Sequence, residues 1–186
     1  MLKPRLYLFA VIISVLVFCV AAKAPPETIQ AQAFGTTTMA GKTFGITIYI
    51  ESYSTPADQK VLIDAFKSGG HSALVKALSK MKGRGRVRLS SGGVGYQIAY
   101  IRNIQTPQGR TLRMITDRPI NIAESMFSTR SEDYDLSLIE LQLTSGKDHT
   151  GTLVPGGRFN VNKKKNQIEF ESYNATAWRL AGIQER

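Results

Sequence analysis

Two histidines, fourteen carboxylates and a run of unopposed cations are the residues with chemistry to offer in this chain. Asp148 and His149 are adjacent, and a carboxylate beside an imidazole can orient it for base work. The pair lies between a turn and a strand, so the simpler expectation is a solvated loop histidine. His71 follows Gly69-Gly70 and reads as a turn residue between helices. Neither histidine has a metal-ligand spacing. The one cysteine, Cys19, lies in the N-terminal apolar run. Zinc held by His and Cys is therefore not expected. Glu132-Asp133-Tyr134-Asp135 is the only candidate cation cluster. It lacks the glycine-bearing loop of a calcium motif and reads as a solvated loop. No serine sits in a nucleophile-elbow context and no glycine-rich loop carries a phosphate lysine. Ser91-Gly92-Gly93-Val94-Gly95 reads as a turn joining two strands. The expectation is a protein without cofactor or metal.

The basic residues carry the clearest functional signal. No acidic residue lies between Asp64 and Asp117, while that interval holds ten lysines and arginines. Lys76, Lys80, Lys82 and Arg84 run from a helix into its exit loop. Arg86 and Arg88 then share one face of a strand. A continuous cationic surface for phosphate or carboxylate groups is the functional reading. A solvated face that keeps the protein soluble is the plain alternative. No aromatic residue lies between Phe66 and Tyr96, which argues against nucleic acid, where bases stack on interleaved aromatics. Tyr49 and Tyr53 are expected on one face of a strand, and Tyr96 and Tyr100 on one face of another. Core packing is the first expectation for them, and a lining for sugars or apolar ligands the second. Asn174-Ala175-Thr176 matches the glycosylation acceptor pattern.

Lys3 and Arg5 precede an apolar run from Leu6 to Ala22, and Ala21-Ala22-Lys23-Ala24 follows it. That order is a secretory signal peptide over residues 1–24, with cleavage after Ala22 or Ala24. An uncleaved N-terminal membrane anchor is the alternative, because about 17 apolar residues is the lower limit of a span. Lipid anchoring through Cys19 is disfavoured by the bulky Phe18. Without Lys3, Arg5 and Lys23 the balance is 21 basic to 14 acidic residues, or +7. The predicted address is periplasmic or extracellular. No transmembrane span is expected in the mature chain, which has no cysteine and must rely on its core.

The elements that would position these residues are mainly strands. Residues 25–42 are small and polar and read as a flexible tether. Ile46, Ile48 and Ile50 alternate with Thr47, Tyr49 and Glu51 in a first strand. Thr55-Pro56-Ala57-Asp58 opens a helix. Gly69-Gly70 stops it, and a second helix runs from about Ser72 to Lys82. From Arg86 onward, alternation and turn residues predict short strands to Ile183, with a bend or bulge at Pro155-Gly156-Gly157 and an edge segment near residues 120–127. The predicted fold is mainly β (α+β). It is one domain over residues 43–186: an antiparallel sandwich or barrel of about eight or nine strands with a helical pair after the first long strand.

Thr116-Asp117-Arg118-Pro119-Ile120, Leu138-Ile139-Glu140-Leu141, Gly151-Thr152-Leu153 and Ile168-Glu169-Phe170-Glu171-Ser172-Tyr173 together resemble exported bacterial proteins of unknown function. The resemblance runs from about Thr43 to Ile183 and implies no activity and no site residue. The expected function is an exported, non-enzymatic binding module of the cell envelope or extracellular space. Lys76, Lys80, Lys82, Arg84, Arg86 and Arg88 would attach it to anionic lipid or acidic wall polymer. The alternative is an exported hydrolase acting on a wall polymer or lipid.

Overall fold

The computed structural model describes residues 26–120, 122, 134–146, 148–162, 167–172 and 177–186. The expected signal peptide, Glu132-Asp133, Lys163-Lys164-Lys165, Asn174-Ala175-Thr176 and nearly all of the edge segment over 120–127 lie outside those residues.

Nine strands, one α-helical element and a single 3-10 turn (Thr37–Met39) make up the described chain: β1 (Glu27–Gly35), β2 (Thr43–Ile50), α1 (Pro56–Lys80), β3 (Gly85–Leu89), β4 (Tyr96–Thr106), β5 (Gly109–Thr116), β6 (Leu136–Thr144), β7 (Thr150–Asn162), β8 (Gln167–Ser172) and β9 (Trp178–Glu185). Pairing runs β6-β5-β4-β3-β2-β1-β9-β7-β8, and β6 also pairs with β7. The result is a closed antiparallel barrel of eight strands, with β8 added to the outer half of β7. β7 serves both because it is 13 residues long. Its first part pairs with β6 and β9, and residues 157–162 pair with β8. The register shift opposite Leu136 and Leu138 falls at Pro155-Gly156, where the bend was expected.

The tether expected over residues 25–42 is corrected. Residues 27–35 are β1, paired with β2 on one side and β9 on the other. Ile29 and Ala33 are fully buried and Ala31 nearly so, while Gln30 and Gln32 alternate with them. The small, polar composition that suggested disorder is what a strand wants between a tight barrel interior and water. An eight-stranded barrel is just wide enough to be filled by side chains, and alanine suits its narrowest positions. Ile48, Val87, Ile98, Ile101, Leu112, Met114, Ile139, Leu141, Leu153, Trp178 and Leu180 complete that filling at 1% exposure or less. Each fully buried large apolar side chain contributes about 1.5–3 kcal/mol, so this core is the main source of stability.

The helical pair is one element with a break in it. Thr55 and Asp58 form a reciprocal cap: Asp58 N–H donates to Thr55 Oγ1 (3.2 Å) and Thr55 N–H donates to Asp58 Oδ2 (2.7 Å). Gly69 and Gly70 leave the helical region, and Gly70 takes φ +64°, ψ −148°. Only glycine adopts that backbone cheaply. The arms on either side lay Leu62, Phe66, Leu74 and Leu78 against Ala99 and Tyr100 of β4 and Leu136 of β6. Phe66 meets Phe159 of β7, which meets Phe170 of β8. The β7–β8 extension thus clasps the helical element to the outside of the barrel.

Among the described residues, no helix is long and apolar enough to cross a membrane.

Candidate functional site

Placement on the barrel divides the cations into two kinds. Lys76 and Lys80 are exposed on the second arm of α1, and Lys82 is exposed just after it. Arg86 and Arg88 are exposed on the outer face of β3, since Val87 between them faces the core. None of these five has a carboxylate partner among the described residues. Arg86 donates one weak hydrogen bond, to the carbonyl of Val94 at 3.4 Å. Lys76 and Lys80 border a crook of about 380 Å³ between the helical arms, otherwise lined by Val61, Ala73, Ala77 and Met81. Val61 is 54% exposed there.

Arg84, grouped with these cations by its place in the chain, behaves differently. Its Nη2 donates to Asp58 Oδ2 at 2.6 Å, and only 19% of its side chain is exposed. It seals the start of α1 against the chain entering β3. Burial works against the Asp58 carboxylate. Its two bonds from Thr55, together with Arg84, still hold its pKa below the ordinary value. Arg84 is a structural cation, not part of a free anion-binding surface.

The richest cluster of titratable groups gathers at one end of the barrel, and no local pattern announced it. Glu27 opens β1, Arg110 lies at the start of β5, Glu185 ends β9, and His149 immediately precedes β7. Arg110 continues the inward series of Leu112 and Met114, as Glu27 continues that of Ile29 and Glu185 that of Ile183. β5 stands four steps round the ring from β1 in either direction, so Arg110 reaches across the mouth. Its Nη2 donates to Glu27 Oε2 (2.7 Å) and its Nη1 to Glu27 Oε1 (3.2 Å), a bidentate pair. It also donates to Glu185 and to Tyr53 Oη (3.0 Å), and Tyr53 in turn donates to Glu27.

Burial pushes the Glu27 carboxyl up, but the bonds from Arg110 and Tyr53 and the Arg110 charge outweigh it and hold the pKa below its ordinary 4.5. Burial and the neighbouring Glu27 carboxylate push the Tyr53 phenol up to about 12. The bonds to Glu27 hold Arg110 firmly protonated.

His149 is a structural contact and not a solvated loop residue, while His71 lies at the break between the helical arms, as expected, and makes a contact there too. Thr144 N–H donates to His149 Nδ1 at 3.2 Å. The neutral ring then carries its hydrogen on Nε2, which stands 3.9 Å from Glu185 Oε1. Asp148 is exposed and does not orient the imidazole. His71 accepts from Phe159 N–H at 3.2 Å and so ties the break in α1 to β7. Burial lowers its pKa; Asp135, 3.8 Å away, opposes that and the Arg158 charge adds to it.

The tyrosine pairs are also re-sorted. Tyr49 is exposed on the outer face of β2, whereas Tyr53 joins the mouth cluster. Tyr96 packs on the barrel core and Tyr100 under α1. A bulge between Ile98 and Tyr100 explains the second split. One extra residue reverses the alternation, which places Ile98 and Ile101 in the core and Ala99 and Tyr100 against the helix.

Among the described residues no group of three or more His, Cys, Asp or Glu side chains is placed to hold a metal ion. Comparison with known protein families, curated proteins and solved structures finds no match.

Proposed function

We propose that the protein is an exported, non-enzymatic binding module that attaches to anionic material of the cell envelope. The observation that carries this reading is the set of exposed cations without carboxylate partners, Lys76, Lys80, Lys82, Arg86 and Arg88. Four other arginines are matched: Arg110 to Glu27 and Glu185, Arg113 to Glu140, Arg158 to Glu171, Arg84 to Asp58. Arg102, Arg118 and Arg179 are exposed without a carboxylate partner among the described residues, but Arg118 and Arg179 lie over the rings of Tyr96 and Phe34. An unpaired exposed cation costs little in water and remains available to a ligand. The apolar crook beside Lys76 and Lys80 adds contact for the region where lipid headgroups meet acyl chains. Each basic residue held near an anionic surface contributes about 1 kcal/mol. The N-terminal leader supports export, which brings these charges next to polyanions.

Co-sedimentation of the purified protein with phosphatidylglycerol-containing vesicles, acidic wall fragments and neutral phosphatidylcholine vesicles tests the reading. Binding is expected to the anionic particles, weakened by salt because exposed charges are screened over about 8 Å at physiological ionic strength. Reversal at Lys76 and Lys80 should abolish most of the binding to anionic vesicles. Equal binding to neutral vesicles, indifferent to salt and reversal, refutes the proposal.

One observation favours the second reading, an exported hydrolase of wall polymer or lipid: two carboxylates and a histidine converge at the barrel mouth. Arg110 engages both carboxylates, and the lowered pKa of Glu27 suits a fixed ion pair better than a proton donor. Release of product from wall material or lipid, abolished in Glu185→Gln, would favour the hydrolase.

A further inference from the structure

The outer face of β9, β1, β2 and β3 is not covered by α1, and a shallow polar groove of about 480 Å³ runs across it. Strand register places Gln184, Gln30, Thr47 and Arg88 in one row across the four strands. The row spans three inter-strand spacings, about 14 Å. Gln32 and Tyr49 flank it from the neighbouring rows. Gly45 and Gly182 place no side chain in it. Gly45 stands opposite Gln32, and the Ser90 hydroxyl accepts the Gly45 N–H at 3.0 Å. Gly182 takes φ +60° with open space where a Cβ would project. The β1–β9 register shift lies beside it, between Gln30 and Gln32.

The chemistry of this groove is mostly neutral. Three primary amides and a threonine hydroxyl offer adjacent donors and acceptors, the pattern that adjacent sugar hydroxyls require. Tyr49, 37% exposed, presents a ring face for the C–H side of a sugar. Among the described residues Arg88 is the only charged one lining the groove, and its fork matches a carboxylate or phosphate. A lipid surface or nucleic acid would be met by many cations, not by one among neutral groups. Each of the four strands already has two hydrogen-bonded neighbours, so a peptide cannot add as a strand here.

We infer that this groove binds a short stretch of acidic polysaccharide, with sugar hydroxyls on Gln30, Gln184 and Thr47, a ring against Tyr49 and the acidic group on Arg88. The inference goes beyond the attachment proposed above and shares only Arg88 with it.

Calorimetric titration of the purified protein with an oligogalacturonate, and with a neutral oligosaccharide of equal length, tests it. The acidic sugar should bind more tightly, and Arg88→Gln should erase that preference. Gln30→Ala with Gln184→Ala should weaken binding about tenfold with no change in net charge. Tyr49→Ala should weaken it comparably. Should the double variant misfold, Gln184→Ala alone carries the same expectation at about threefold. Reversal of Lys76 and Lys80, which should abolish vesicle binding, should leave sugar binding intact, so the two proposals fail separately. Absence of binding to either sugar overturns the inference. So does affinity unchanged by the neutral variants, or lost on reversal of Lys76 and Lys80, since each marks general attraction of a polyanion.

Discussion

The barrel mouth and the second arm of α1 both draw their cations from the acid-free interval between Asp64 and Asp117, and they use them in opposite ways. At the mouth, Arg110 is 20% exposed and engages Glu27, Glu185 and Tyr53. On the arm, Lys76 and Lys80 are exposed and unpaired among the described residues. The difference follows from solvation. A charge taken out of water needs partners, and it finds them in acids from distant parts of the chain. A charge left in water needs none and stays free for a ligand. Local charge density in a sequence therefore does not separate structural cations from binding ones.

Removing Arg110 is the largest test of this contrast. Arg110→Ala leaves two carboxylates and a phenol short of their donor, and the expected loss is about 3 kcal/mol, the low end for a broken buried pair because the mouth is partly wet. Urea denaturation of the variant and of Lys80→Ala reads the difference. An equal cost for both would break the comparison.

Arg84→Ala sharpens it, because Arg84 neighbours the free cations in sequence but is paired in space. It should cost about 1–2 kcal/mol through the lost bond to Asp58 beside the helix cap. A cost within about 0.5 kcal/mol, the usual range for surface substitutions, would return Arg84 to the free set.

Smaller effects should appear on titration. Glu27 is held below its ordinary pKa, so its pairing stabilises the fold above that value and the contribution is lost as pH falls through the lower folded one. Arg110→Ala should therefore lose less stability on acidification than the parent protein. Tyr53 is shifted the other way, from 10 to about 12. Its stabilisation is complete below pH 10 and disappears as pH rises through about 12. An ultraviolet titration should contain a tyrosine with that midpoint, absent in Tyr53→Phe; a Tyr53 phenol titrating near 10 would show that the mouth cluster does not hold it.

The smallest stability effect belongs to the arm. Lys76→Glu with Lys80→Glu should change unfolding free energy by no more than about 0.5 kcal/mol, while removing most binding to anionic vesicles. A marked loss of stability would mean that these lysines, too, have hidden structural partners.

Strands β2 to β9 and the broken helix were legible because each is a local pattern. Ile46, Ile48 and Ile50 alternate, Thr55-Pro56 opens a helix, and Gly69-Gly70 interrupts it. β1 was misread although Ile29, Ala31 and Ala33 alternate with Gln30 and Gln32. Alanines carry a weak hydrophobic signal, and their value appears only once a narrow interior exists to fill. Tyr96 and Tyr100 were assigned to one face because a one-residue bulge reverses alternation and leaves no mark in composition; Tyr49 and Tyr53 part because β2 ends at Ile50, before Tyr53.

The mouth cluster was illegible for a stronger reason. Arg110 is 83 residues from Glu27 and 75 from Glu185, and no periodicity relates positions so far apart. Closure of the barrel is the same kind of fact. By itself the chain determined its mainly β character, its turns, its interrupted helix and its uneven charge, since dihedral preference, side-chain period and charge count act over a few residues. Only the tertiary structure decided that β9 pairs with β1, that the ring is a barrel and not a sandwich, and which cations are locked and which are free. Those outcomes depend on which distant surfaces are buried together, and burial sets whether a charge must find a partner.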